Sequence, residues 1–169
     1  LERHVDIVEV SCSSQLYPIV DLFFKKNSQA PLQVAALELL ALSFLEVFPA
    51  SYLKGGEITS WGFYYDFIPS TPFSKEFLTF LEEKMRQVSK KKISLRLAEM
   101  GRENAKEYFS SLGRKDLEER VYCVKENLVT VLHMGDFVDL CVDCPESLSQ
   151  VVHFKLLEAI PIDQGVRII

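Results

Sequence analysis

Between positions 32 and 48 apolar side chains fall on nearly every side of a helical cylinder: Val34, Leu37, Leu39, Leu40, Leu42, Phe44, Leu45, Val47 and Phe48. A helix that is apolar all round is buried on most sides, so this segment predicts the central core element. Pro31 opens it and Pro49 closes it, because proline is tolerated in a first turn and stops a helix elsewhere. A period of two then takes over. From 57 to 67, Trp61, Phe63, Tyr65 and Phe67 alternate with Gly62, Tyr64 and Asp66, which predicts a strand with one aromatic face turned to the core. Lys54-Gly55-Gly56 ahead of it reads as a turn.

The helical period returns in Phe77, Leu78, Leu81, Met85 and Val88, with Ser74 placed as the cap and Lys90, Lys91 and Lys92 complementing the C-terminal dipole. A third helix over 102–112 ends at Gly113, a natural left-handed cap. Strands are predicted at 120–124, 128–134, 137–142, 151–157 and 166–169. Ahead of the long helix, 4–10 reads as a strand and Pro18 as part of the first turn of a helix running to Lys26, followed by a break at 27–30. The result is an α+β domain, an antiparallel β-sheet packed against a long buried helix. Residues 1–30 form a strand-helix extension and 31–169 the domain itself.

Composition narrows the classes. A chain of 169 residues, 48% hydrophobic, can bury the core of one domain. Its longest apolar stretch, 34–48, is interrupted by Glu38, Ser43 and Glu46, which argues against a membrane span. The chain starts at Leu1 with no initiator methionine and no signal-peptide pattern, and reads as a piece of something longer or a trimmed product. A net charge of −5 opposes a broad nucleic-acid footprint. Any RNA contact is expected to be local, with Lys90, Lys91 and Lys92, together with Lys84, Arg86 and Arg96, as the candidate patch and a solvated helix end as the plainer reading. Four cysteines, Cys12, Cys123, Cys141 and Cys144, are few for a disulfide scaffold, and reduced thiols in the cytoplasm are expected. Cys141 and Cys144 also have the spacing of a redox couple, or of half a metal site with His133 or His153. Spacing alone carries little, and buried or edge thiols and hydrogen-bonded histidines are the commoner outcome.

Three stretches, in order, point further. Gly62-Phe63-Tyr64-Tyr65-Asp66-Phe67, Asp139-Leu140-Cys141 and Phe154-Lys155-Leu156-Leu157 together resemble the editing domain of threonyl-tRNA synthetases over roughly 32–160. The resemblance implies an origin in hydrolysis of serine wrongly attached to tRNA, carried in the family by a His-x-x-x-His pair on the central helix and a Cys-x-x-x-His pair near the Asp-Leu-Cys strand; in the related alanyl proteins such a cluster holds zinc. Aligned through Phe48-Pro49, the two helix histidines fall on Val34 and Glu38. The second pair keeps Cys141, but its histidine falls on Pro145 or Glu146; a family lysine falls on Arg120, and Asp139 is retained. Gly113-Arg114 and Gly135-Asp136-Phe137-Val138-Asp139 also resemble degraded copies that precede kinase-like nucleoside-phosphorylating domains.

Valine neither binds metal nor moves a proton, so no zinc site and no cofactor are expected. The leading expectation is a non-catalytic binding or regulatory module, partnered by tRNA, another protein or a downstream domain of a longer chain. The rival is an active aminoacyl-tRNA ester hydrolase with a site rebuilt from Glu38, Arg120, Asp139 and Cys141, in which burial raises the Glu38 pKa toward that of a general base. Against this stands the plain reading that Glu38 joins Ser43 and Glu46 on a polar arc and meets solvent or pairs with Arg120. A third reading keeps tRNA binding without chemistry.

Overall fold

The computed structural model describes residues 8–12, 15–19, 30–141 and 143–169. Strands β1 (Val8–Cys12) and β2 (Gln15–Ile19) pair antiparallel. Pro18, expected in a first helical turn, lies instead in β2 opposite Glu9. In a two-stranded ribbon both strands are edges, where a residue without an N–H donor is tolerated. The rest of that predicted helix, 20–26, lies outside the described residues.

Helix α1 (Ala30–Val47) is buried without interruption from Val34 to Phe44, as its apolar circumference predicts. It packs against α2 (Phe77–Lys90) and the hairpin β3 (Tyr52–Thr59) and β4 (Gly62–Ile68). Phe44 stacks on Phe67 at 3.8 Å between ring centroids, and Phe67 on Tyr65 at 4.7 Å. Fully burying such a side chain is worth roughly 1.5–3 kcal/mol.

The hairpin corrects two expectations. Lys54-Gly55-Gly56 is not a turn but the middle of β3, irregular in register between Leu53 and Gly55. The reversal comes later, between Thr59 and Gly62, and leaves Trp61 at its tip, 63% exposed rather than in the core. The glycines are needed because the sheet passes close to its own side chains: a Cβ on Gly56 would sit 2.5 Å from the Tyr64 carbonyl oxygen and 2.7 Å from the Tyr65 ring. Gly56→Ala is expected to lower the free energy of unfolding by about 1–3 kcal/mol, the range for overpacking, and urea denaturation checks it.

Beyond α2 come β5 (Leu95–Gly101), α3 (Arg102–Ser111), α4 (Lys115–Cys123), β6 (Leu128–Met134), β7 (Phe137–Cys141), β8 (Ala159–Ile162) and β9 (Gly165–Ile168). The cap expected at Ser74 is corrected: Glu76 is the N-cap of α2, with no side-chain capping bond, and Ser74 takes part only through its carbonyl, which accepts the Phe77 N–H. The strand expected at 120–124 is the end of α4. Val121-Tyr122-Cys123-Val124 has strand-like composition, but Leu117 and Val121, four apart, are the apolar residues buried, which is helical spacing. The strand expected at 151–157 is also absent. Val151 and Leu156 are buried five apart, out of step with a period of two, and the backbone N–H of Leu156 donates to the buried Glu82 carboxylate at 2.8 Å instead of to a strand.

The observed class is α+β. A four-stranded antiparallel sheet runs β3-β4-β9-β8 and a three-stranded one β5-β6-β7. The β6-β7 pair has two buried faces. Leu132, Met134, Phe137 and Cys141 join the main core around α1, while Val129, Val131, Val138 and Leu140 join a second cluster under α3 and α4 with Phe109, Leu117 and Val121. Among the described residues no helix is long and apolar enough to cross a membrane.

Candidate functional site

Strand alternation decides where Asp139 points. It lies between Phe137 and Cys141, both of which face the α1 core, and so projects toward that core as well. It is fully buried. A buried carboxylate must be paired, and three partners converge on it. Arg120 Nη1 donates to Asp139 Oδ1 at 2.6 Å, Tyr65 Oη donates to Oδ2 at 3.1 Å, and the backbone N–H of Leu140 donates to Oδ1 at 2.7 Å. Arg120 also reaches Tyr65 Oη at 3.2 Å and donates through Nη2 to the Leu140 carbonyl at 3.1 Å.

Arg120 reaches this point because β7 is the edge of its sheet. Carbonyls two residues apart on an edge strand point the same way and need donors. Those of Val138 and Leu140 accept from Arg114 Nη1 at 3.0 Å and from Arg120 Nη2. Arg114 is held by a two-pronged pair with the buried Asp116, at 2.8 and 2.7 Å. Helix α4 and the residue before it thus cover the edge of β7 with two arginines. Gly55, whose φ of 118° lies in the region that favours glycine, passes beside the Arg120 guanidinium, where a Cβ would make ordinary contact at 3.6 Å.

Glu38 reaches the same cluster from α1. It is only 4% exposed, so the reading that sets it on a solvent-facing arc with Glu46 is corrected: of the two, only Glu46 is exposed, paired with Lys84 at 2.7 Å and Lys91 at 3.6 Å. Burial, and then the negative charge of Asp139, push the Glu38 pKa well above its ordinary value, against a smaller opposing pull from Arg120. The neutral form of the Glu38 carboxyl is thereby favoured, and the neighbouring Asp139 side chain acts in the same direction through hydrogen bonding. Its Oε2 has no protein partner. Burial likewise raises the Tyr65 pKa and keeps the phenol protonated. Burial alone would lower the pKa of Arg120, but the Asp139 charge outweighs it and the guanidinium stays charged.

The structure thus brings Glu38, Arg120 and Asp139 together. Cys141 lies two residues on, joined to Cys144 by a disulfide across a Cα separation of 5.7 Å, within ordinary disulfide range. The expectation of reduced thiols at this pair is corrected. The turn after β7 brings the two Cα atoms close, which spacing alone does not reveal. Glu146, on which the family's missing histidine can be aligned, is exposed, whereas Pro145 is buried. Among the described residues no cluster of three or more His, Cys, Asp or Glu is arranged to hold a metal ion. Lys90, Lys91 and Lys92 are exposed at the end of α2, away from this cluster.

Tyr65 is the participant that sequence reasoning left among core aromatics. Its signal was legible: of the row Trp61, Phe63, Tyr65 and Phe67, it alone carries a hydroxyl on the buried face, and a buried phenol needs a partner.

No protein-family model matches the chain. It is 35% identical over 146 residues to the Threonine--tRNA ligase of Laribacter hongkongensis, covering 83% of this chain and 23% of that protein. Those of Chlorobium limicola and Coxiella burnetii are 37% identical over 111 residues and 34% over 108, each match covering 63% of this chain and 17% of the relative. The chain therefore spans about a fifth of the curated relatives it matches. The chain is a distant homologue of one part of threonine--tRNA ligase.

Proposed function

We propose that this chain is an editing-domain scaffold that has lost ester hydrolysis and acts as a binding or regulatory module in a tRNA-related setting in the cytoplasm, with tRNA, a protein or a downstream domain as its partner. The observation that carries the proposal is the burial of Glu38 beside Asp139. A general base must reach the proton it abstracts and must be ionised to take it. Glu38 is buried, and burial together with the Asp139 charge disfavours its ionised form. The other positions that resemble the family's histidines hold Val34, which is buried, and Pro145 or Glu146. Asp139 is likewise occupied by Arg120 and Tyr65.

The convergence of Glu38, Asp139 and Arg120 favours a second reading, an aminoacyl-tRNA hydrolase that opens on binding. Incubation with tRNA mischarged with serine separates the two. The proposal predicts ester loss at the rate of buffer alone, unchanged by Cys141→Ala. Hydrolysis abolished by Cys141→Ala, or by Glu38→Gln, favours the enzyme.

A further inference from the structure

On the far side of α4 from the buried network, α3 and α4 enclose a pocket of about 290 Å³ lined by Arg102, Glu103, Lys106, Val121 and Tyr122. We infer that it is a nucleotide-binding site, with a base stacked on Tyr122 and a phosphate held by Arg102 and Lys106.

The argument begins with Tyr122. It is 76% exposed, leaving a large aromatic face in water at the mouth of a concavity. Lys106 Nζ stands 5.7 Å from the ring centroid, so ring and cation already form a unit. Arg102 and Lys106 are four residues apart on α3 and lie on one face of it. The Arg102 guanidinium is fixed by donation from Nη1 to the Val124 carbonyl at 3.0 Å, so its remaining donors have a set position. Glu103, 3.6 Å from Arg102 Nε, is the one carboxylate in the lining and suits the hydroxyls of a ribose. Buried Val121 supplies an apolar wall.

Two cations beside one carboxylate make the pocket positive on a chain whose net charge is −5, which matches the local contact that the overall acidity demands. The volume is at the lower end for ligand sites and suits a single nucleotide unit. An aromatic face beside fixed cations favours that ligand over an acidic peptide, which offers carboxylates but no ring to stack. None of the lining residues belongs to the Glu38 network, so the inference holds whether or not the chain hydrolyses esters.

Isothermal titration with AMP, adenosine, inorganic phosphate, a hexa-adenylate RNA and a hexaglutamate peptide tests it, using the chain and its Tyr122→Ala, Tyr122→Phe and Lys106→Ala variants. These side chains contribute little to the core, and near-ultraviolet circular dichroism confirms that each variant is folded. The expected result is binding of AMP, the RNA or both. The affinity should fall about tenfold in Tyr122→Ala and in Lys106→Ala and be kept in Tyr122→Phe. AMP alone would identify a free nucleotide as the ligand, and RNA alone a nucleotide within a strand. Failure of both to bind, phosphate or hexaglutamate binding as tightly as AMP, or affinities unmoved by Tyr122→Ala would overturn it.

Discussion

Asp139→Ala is expected to lower the free energy of unfolding by about 3–5 kcal/mol, the range for leaving a buried ionic partner without its counter-charge. The size follows from what Asp139 holds. Its removal takes the acceptor from Arg120, Tyr65 and Glu38 at once, and Arg120 would keep its positive charge with only 22% of its side chain exposed. The Arg120→Met/Asp139→Leu double variant removes both charges together and is expected to cost less than the two single changes added, because no orphaned charge remains. Urea denaturation of the four proteins in the cycle measures this. Additive losses would mean that the ion pair contributes nothing beyond its separate side chains.

The second large effect is a pH dependence set by Glu38. Its pKa is raised in the folded state, so between its unfolded value, near 4.5, and its folded value the native protein holds a proton that the unfolded chain has released. The contribution of Glu38 is therefore fully present below the unfolded value and is lost as pH rises to and through the folded one, at about 1.4 kcal/mol per pH unit in between. Glu38→Gln retains a hydrogen-bond donor toward Asp139 and cannot ionise. It is expected to match the parent within about 1 kcal/mol near pH 4 and to become the more stable protein as pH rises. Denaturant midpoints at several pH values read this directly. A variant that is less stable than the parent at every pH would show that Glu38 is needed as a carboxylate.

The parts of the fold legible in the sequence are those where one strong period runs undisturbed. Helix α1 declares itself by its apolar circumference, β4 by its aromatic alternation, and β6 and β7 by dense runs of Val and Leu. Other elements are hidden by packing that overrides local composition. Strand β3 contains Gly55 because its φ is 118° and Gly56 because Tyr64 and Tyr65 press against its backbone, and paired glycines read as a turn. Helix α4 ends in β-prone residues but is fixed by Leu117 and Val121 against the second cluster. Strand β5 is an edge with Leu97 53% exposed, so its pattern never becomes a clean alternation. The candidate site was legible as a set of residues, through resemblance, but not as a chemical state. Sequence places Glu38 among apolar neighbours without revealing that Asp139 waits across the core, and it is burial, with that neighbour, that raises the Glu38 pKa.

The central claim is the protonation state of Glu38, and carbon-13 NMR of its side-chain carboxyl, assigned by its disappearance in Glu38→Gln, measures it most directly. The account predicts a titration midpoint well above 4.5 in the folded protein, falling to the ordinary carboxyl value on unfolding. A midpoint near or below 4.5 would contradict it and return Glu38 to the role of an available base.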